Sequence, residues 1–560
     1  MLRGTMPLGD FVVAYLQKLG VTHLFGIPGD LVLRLFLRFG HRRGLRIVTL
    51  SHEPGVGFAA DAYARATGRL GVVCVTYGAG GHNMVNPVAG SFAERVPLLV
   101  LSGGPGDEER KLGTLIHHQA KEVESQLRMY RELTCAAALL DDPRTAAETF
   151  HEVVQQIWCA RRPGYVEVHR DMVEQRIVVP KALLEWDGSL RYARSDERNR
   201  DEAVRDAAQR WNAARRPFVT VGIEAYRYGL DREVRTLAEK LGAPVATTVL
   251  SKGAFPEDHP LFMGVHIGGI SPKPMLRRVD RADLVLNLGA MRTDMELGSR
   301  PPQVTRDRSI WAVSGRVHVS HHTYDDVQIR DFVRGLLRAK LRRHRERIRY
   351  CDNLPPPAKD ATKPLRVTDL LHEVNRFLAG RRGWFVVAEA GDMLFAGLDV
   401  RAPRDGGYLA QGFYASMGFG VPGALGAQLG GVGRPLVLSG DGAFQMTGPE
   451  IAQAPRYGLN PVVLVVNNGG WQIFRPVVDQ TELLDVPSWP YAQLAPLWGG
   501  HGVRVDTPQA LRAALADAER RKTFVVIEAI VPPDDHSPIS RKYIEASARH
   551  GRNSKAGASR

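Results

Sequence analysis

Short runs of Val, Leu and Ile alternate along nearly the whole chain with stretches whose apolar residues recur at helical spacing. A continuous apolar run bounded by turn-forming residues is what a strand buried on both faces requires, and the helical stretches between the runs supply the cover. The runs are Gly71–Tyr77, Pro97–Ser102, Tyr165–His169, Pro217–Gly222, Leu284–Gly289, Phe385–Glu389, Leu436–Ser439, Pro461–Val466 and Phe524–Ile530. Two polar intervals rich in Arg and Pro, Val179–Glu202 and Arg342–Pro364, interrupt the pattern and read as linkers. The pattern predicts three doubly wound α/β domains with mainly parallel sheets, over residues 1–180, 195–345 and 365–545, with a disordered basic tail at 546–560. A weak internal echo joins the outer domains. Leu70–Met84 and Arg434–Met446 share an apolar strand, a Gly-x-Gly turn and a helix start, as an ancestral duplication or the general grammar of α/β folds would leave them.

Length and charge refine this picture. The 560 residues exceed what one core organises, at about 150 residues per domain. No apolar stretch reaches the roughly 18 residues of a membrane span, and the N-terminus MLRGTMPLGDFVVAYL lacks the unbroken apolar run and cleavage site of a signal peptide. A soluble, cytoplasmic protein without a membrane partner is expected. Cys74, Cys135, Cys159 and Cys351 form no CxxC pair, so they predict structural thiols rather than a zinc site or a disulfide framework. The formal charge of +14 raises the question of nucleic acid. Its densest runs, Arg338–Arg349 and Arg541–Arg560, fall where a linker helix and the tail are expected and carry no interleaved aromatics. A solvated surface follows, with no nucleic-acid partner.

The candidate chemistry lies near the C-terminal end. RPLVLS at Arg434–Ser439 runs into Gly440-Asp441-Gly442, and PVVLVV at Pro461–Val466 runs into Asn467-Asn468. This is a cradle for a metal-bridged diphosphate: magnesium takes oxygen ligands, and Asp441 and Asn468 offer two. Gly440 and Gly442 let bare backbone approach phosphates, and a helix beginning at Thr447 would turn its amides toward an anion. Two buried strands ending in ordinary turns are the plainer alternative.

The segment GDGAFQMTGPEIAQAPRYGLNPVVLVVNNGGW resembles the GDG…NN signature of thiamine-diphosphate enzymes. FGIPGD at Phe25–Asp30, SHEPGVGFAA at Ser51–Ala60, VTYGAGGHNMVNPVA at Val75–Ala89, IHHQ at Ile116–Gln119 and FYASMGFGVP at Phe413–Pro422 are similar to the 2-keto acid decarboxylase branch. Within it they look most like the phenylpyruvate and indolepyruvate decarboxylases, over about residues 7–545. The resemblance implies thiamine diphosphate and magnesium as cofactors, a pyrimidine-binding first domain and a diphosphate-binding last domain. It also implies a homodimer as the smallest active unit, since the cofactor lies between the first domain of one subunit and the last domain of its partner, and a homotetramer.

Site residues carry over one by one. Glu53 matches the glutamate that touches the aminopyrimidine ring, where burial favours a proton shared with the ring nitrogen; the alternative is a first-turn helix acid beside Pro54. Met417 matches the residue that props the bent cofactor, and otherwise fills a gap. Ala415 would offer a carbonyl to the cofactor amine, Gly470 a carbonyl to the metal, and Ala443 continues the diphosphate wall. Asp30, His117 and His118 match an aspartate and paired histidines that move protons, with pKa values near neutrality expected. Asp30 alternatively caps a helix from Leu31, and the histidines are alternatively solvated loop residues. The extra glutamate of pyruvate decarboxylase falls at Phe474, so that acid is missing and the pocket of Phe474, Asp30 and His118 should favour aromatic 2-keto acids over pyruvate. Asp294 aligns with a middle-domain aspartate that could compensate, or is a surface acid. The rival readings are a carboligase like acetolactate synthase, a flavin-using oxidase, and a non-catalytic binding protein with the same fold. For the flavin user no GxGxxG is found, GAGGHN failing it at Asn83.

Overall fold

In the computed structural model, which describes residues 3–40, 42–298, 304–546 and 548, the apolar runs become strands ending where glycines and polar residues interrupt them. The chain divides into two compact units, Met1–Ala193 with Leu425–Gly430, and Arg194–Ala424 with Gly431–Arg560.

The first unit contains β1 (Arg3–Pro7), β2 (His23–Gly26), β3 (Arg46–Val48), β4 (Gly71–Val75), β5 (Leu98–Gly104), β6 (Ala136–Leu140), β7 (Gly164–His169) and β8 (Arg176–Pro180). Six of these form a parallel sheet in the order β3-β2-β4-β5-β7-β6, and β1 pairs with β8 in a separate antiparallel ribbon. The helices Leu8–Lys18 and Ala146–Ala160 bury Phe11, Tyr15 and Phe150 against the sheet, Tyr15 meeting Phe150 edge-on at 5.1 Å. The helix Glu53–Thr67 starts with Pro54 in its first turn and stops at Gly68, whose φ of 69° a side chain would resist.

The second unit contains two sheets. β9 (Pro217–Val221), β10 (Val245–Thr247), β11 (Phe262–Val265), β12 (Leu284–Leu288), β13 (Ser309–Val313), β14 (Arg316–Val319) and β15 (His322–Asp325) lie in the order β11-β10-β9-β12-β13-β14-β15. Its last two pairings are antiparallel, an edge that the apolar-run pattern did not predict because β14 alternates buried and more exposed residues and β15 has none buried. β16 (Trp384–Ala388), β17 (Tyr408–Ala410), β18 (Arg434–Gly440), β19 (Val462–Asn467), β20 (His501–Val505) and β21 (Val525–Ile530) form a parallel sheet ordered β17-β16-β18-β19-β21-β20. Both six-stranded sheets thus run second, first, third, fourth, sixth, fifth in their domain's own numbering, and the two echoing segments occupy the third strand of each. The protein therefore has three α/β domains with mostly parallel sheets.

Some expectations need correction. The Val179–Glu202 interval is structured at both ends: β8 reaches Pro180, a helix covers Lys181–Leu184, and Asp196 accepts the Asn199 amide at 2.8 Å to start the helix Glu197–Ala213. Arg338–Arg349 forms no linker helix beyond Arg338. Its backbone is an irregular strap, the Arg342 carbonyl accepting the Trp211 indole N–H at 3.0 Å and the His344 amide donating to the Leu241 carbonyl at 2.8 Å. The helix expected from Thr447 begins six residues earlier, at Asp441. Apart from Ala546 and Ala548, the tail at 546–560 lies outside the described residues. Among the described residues no helix is long and apolar enough to cross a membrane.

Candidate active site

β18 and β19 are adjacent and parallel, Gly440 pairing with Val466, so their carboxyl ends release Asp441 and Asn468 side by side. Asp441 is 1 % exposed. Its Oδ1 accepts the Gly442 amide and its Oδ2 the Gly469 amide, both at 2.9 Å. Burial nevertheless pushes the carboxyl up to about 6, the surrounding amides offsetting only part of the desolvation. Asn468 is also buried, and among the described residues its Oδ1 has no hydrogen-bond partner. A desolvated carboxylate and a buried amide oxygen form a donor set that fits a hard cation such as magnesium. Gly442 leaves room for the Trp471 indole, because a Cβ there would stand 2.5 Å from the indole nitrogen and force it to shift.

These residues border a cavity of about 290 Å³. Gly440, Asp441, Gly442, Ala443, Asn468, Gly470, Ala415, Met417 and Phe474 all line it, so one cavity gathers every residue expected in the diphosphate half of the site. Ala415 and Met417 sit on a turn with φ of 53° at Ala415 and 94° at Gly418. Thr447 donates its hydroxyl to the Gly418 carbonyl at 2.6 Å, and Gly420 donates its amide to Glu389 Oε2 at 2.7 Å. Glu389 also accepts the Ala390 amide at 2.9 Å, and burial pushes its carboxyl up to about 7 despite these bonds. It therefore ties the Met417 turn to the end of β16. Glu389 was missed in the sequence, as was Asp392, a cavity-lining acid whose carboxyl burial pushes up to about 6. Neither belongs to a motif; the only available signal was an acid at or just beyond the end of a buried apolar run.

The first unit holds the other expected residues. Glu53 opens its helix, 15 % exposed at the side chain, and its Oε2 accepts the Asn83 side-chain amide at 3.0 Å. Its placement thus suits both readings of this residue. His117 donates through Nε2 to Asp30 Oδ2, His118 Nε2 lies 3.7 Å from Oδ1, and the two imidazoles are 4.8 Å apart. The helix after Asp30 starts at Leu33 rather than Leu31, so Asp30 does not cap it. Burial raises the Asp30 carboxyl, but the His117 bond, the Leu31 amide and both imidazoles outweigh it and hold the group below the usual carboxylate range, not near neutrality. His118 itself has a φ of 68°. Its carbonyl approaches Gly78 so closely that a Cβ there would come within 2.0 Å.

Asp294 is exposed at the start of a short helix, Asp294–Leu297, and is not among the cavity-lining residues, whereas the adjacent Met295 is.

Comparison with known proteins matches three family models along the chain. They are the N-terminal TPP binding domain of thiamine pyrophosphate enzymes at residues 6–129, the central domain at 204–339 and the C-terminal TPP binding domain at 390–529. The chain is 36 % identical over 556 residues to an indole-3-pyruvate decarboxylase of Azospirillum brasilense, covering 97 % of this chain and 99 % of that protein. It is 29 % identical to an alpha-keto-acid decarboxylase of Mycobacterium leprae, covering 95 % and 94 % respectively. It is 27 % identical to pyruvate decarboxylase isozyme 3 of Saccharomyces cerevisiae, covering 95 % and 96 %.

Proposed function

The chain belongs to the thiamine pyrophosphate enzymes, as a thiamine-diphosphate-dependent 2-keto acid decarboxylase, and on that premise we propose that magnesium anchors its cofactor and that its substrates are aromatic 2-keto acids such as phenylpyruvate or indole-3-pyruvate. The observation that carries the substrate class is the apolar part of the cavity lining. Besides Asp441 and Asn468 it includes Met295, Leu394, Phe395, Ile473, Phe474 and Tyr543, with Phe395 and Tyr543 stacked at 4.3 Å. An aromatic side chain would find contact there, whereas a methyl group would leave most of the surface uncovered.

When bound, thiamine diphosphate supplies the nucleophilic carbon that attacks the keto group and the ring that accepts the electrons released with carbon dioxide. The chain supplies the rest. Asp441, Asn468 and the Gly470 carbonyl would hold magnesium, Gly440, Gly442 and Ala443 the diphosphate, and Met417 with the Ala415 carbonyl the bent shape of the cofactor. Glu53 would share a proton with the aminopyrimidine nitrogen. Asp30, ionised at neutral pH, fixes the His117 ring through its Nε2 proton. The imidazoles of His117 and His118 are then the groups left to deliver a proton to the carbon that has lost its carboxylate.

Glu53 and Asp441 belong to different units, and the resemblance supports a site that draws them from two copies of the chain, with a dimer as the smallest active form. A homotetramer and a cytoplasmic location belong to the same reading. Comparing kcat/KM for phenylpyruvate, indole-3-pyruvate and pyruvate tests the substrate class. The aromatic acids should lead pyruvate by at least about tenfold, the scale of one well-filled apolar contact. Preference for pyruvate would overturn the aromatic reading, and acetolactate without aldehyde would mark a carboligase.

A further inference from the structure

Among the described residues, one oxygen of Glu53 is hydrogen-bonded and one is left over. The Asn83 amide nitrogen stands 3.0 Å from Glu53 Oε2 and 3.2 Å from His52 Nε2, and His52 Nε2 is 3.8 Å from the same Oε2. A carboxylate oxygen can only accept, so the nitrogen of the Asn83 amide faces Glu53. One of its two protons goes to Oε2, and the nitrogen also lies against the His52 ring. Glu53 Oε1 has no such bond among the described residues and faces Gly80, where even a methyl group would stand 3.6 Å away.

Asn83 is well placed to hold this geometry because its own short helix is anchored from beneath. The helix Ala79–Asn83 follows Gly78, whose amide donates to Gln126 Oε1 at 2.7 Å. Tyr130 donates its hydroxyl to the Gly81 carbonyl at 2.7 Å. Gln126 is fully buried and donates in turn to Ser102 at 2.9 Å and Tyr165 at 2.6 Å, while Tyr165 donates to Glu167 at 2.7 Å. Asn83 thus extends from a satisfied buried network toward a half-buried acid.

We propose that Asn83 is a positioning residue for Glu53: its amide occupies Oε2 and fixes the carboxyl plane, so that Oε1 is the oxygen that exchanges a proton with the cofactor's aminopyrimidine nitrogen. This rests on the reading of Glu53 as the group that touches that ring. A carboxyl free to rotate would present either oxygen, or neither, and proton transfer depends on alignment. Asn83 is not in the diphosphate cradle, so cofactor retention and proton exchange should respond differently to its loss.

The test uses the full-length protein reconstituted with magnesium and thiamine diphosphate. Asn83→Leu keeps the volume and removes the donor, while Asn83→Gln keeps an amide. Three readouts are needed: calorimetric cofactor affinity, the circular-dichroism band of the imino form of the pyrimidine, and deuterium exchange of the thiazolium proton by NMR. In Asn83→Leu, affinity should stay within about threefold while exchange slows about 10- to 100-fold and the imino band weakens, the scale of one hydrogen bond to a charged group. Asn83→Gln should recover part of the exchange rate. The double variant Asn83→Leu/Glu53→Gln should be no slower than Glu53→Gln alone. Unchanged exchange in Asn83→Leu, or a matching loss in the double variant beyond Glu53→Gln, would overturn the proposal. So would loss of cofactor binding or of folding in Asn83→Leu that Asn83→Gln does not restore. If Glu53→Gln itself leaves exchange unchanged, the underlying reading of Glu53 has failed, a result distinct from failure of the Asn83 step alone.

Discussion

Replacing Phe474 by glutamate should erase much of the preference for aromatic substrates, and the size of the effect follows from exposure. Phe474 lines the cavity and is 55 % exposed. Of the roughly 200 Å² that a phenylalanine side chain offers, about 110 Å² is then open to a substrate ring. Full coverage at about 25 cal/mol per Å² is worth about 2.7 kcal/mol, but a ring stacking on one face covers about half, giving about 1.4 kcal/mol. The specificity ratio of phenylpyruvate to pyruvate should therefore fall by about tenfold, and by no more than about 100-fold. A carboxylate against the apolar wall of Ile473 and Phe395 pushes in the same direction, because an incoming ring would strip its water. The assay is steady-state kcat/KM for both acids in parent and Phe474→Glu, with cofactor affinity measured in parallel. An unchanged ratio in a variant that binds its cofactor normally would refute Phe474 as a wall of the substrate pocket.

Other outcomes follow from the same geometry. Asp441→Ala should abolish retention of magnesium and thiamine diphosphate together in calorimetry, since it removes a buried oxygen beside the orphaned Asn468 Oδ1; independent loss of one ligand would contradict the bridged arrangement. Mixing Glu53→Gln with Asp441→Ala chains should restore up to about a quarter of the sites if one site draws on two copies, and no recovery after proven exchange would place both residues in one chain's site. Replacing either His117 or His118 should slow aldehyde formation by about 10²–10⁴-fold with cofactor affinity intact, and a loss confined to affinity would remove them from proton transfer. Burial pushes the Glu167 carboxyl from its ordinary 4.5 up to about 7, with the Tyr165 hydroxyl bond opposing. The fold therefore disfavours its ionised form, and stability is lost as pH rises through that window. Glu167→Gln removes this cost, so its stability relative to the parent should improve by about 2–3 kcal/mol between about pH 5 and pH 8 in urea unfolding. A difference that is flat with pH would show that Glu167 titrates elsewhere.

What could be read from the sequence is what local chemistry decides. Val462–Asn467 is a strand because six buried residues in a row suit only a doubly covered position, and the Gly-Asp-Gly and Asn-Asn signals sit where such strands must end. Asp441, Asn468, Met417 and Phe474 were accordingly found in one cavity. The helix start was misplaced because Gly440 is extended and the Asp441 carboxylate takes the Gly442 and Gly469 amides, contacts that apolar periodicity does not register. Glu389 and Asp392 escaped notice because their role depends on which turns pack over them, a property of the tertiary fold. The same holds for Asp30. The sequence pairs it with His117 and His118, but only the folded arrangement, with the His117 bond and the Leu31 amide on the carboxyl, holds it low rather than near neutrality. The strap after Arg338 falls between domains, where a linker helix is expected, but its backbone bonds go to Leu241, Met263 and the Trp211 indole.

The most direct measurement follows both products at once. Apoprotein given phenylpyruvate should release nothing, and the same protein with magnesium and thiamine diphosphate should release phenylacetaldehyde and carbon dioxide in equal amounts. Carbon dioxide without aldehyde, aldehyde formation that ignores magnesium, or a condensation product in place of aldehyde would contradict the account.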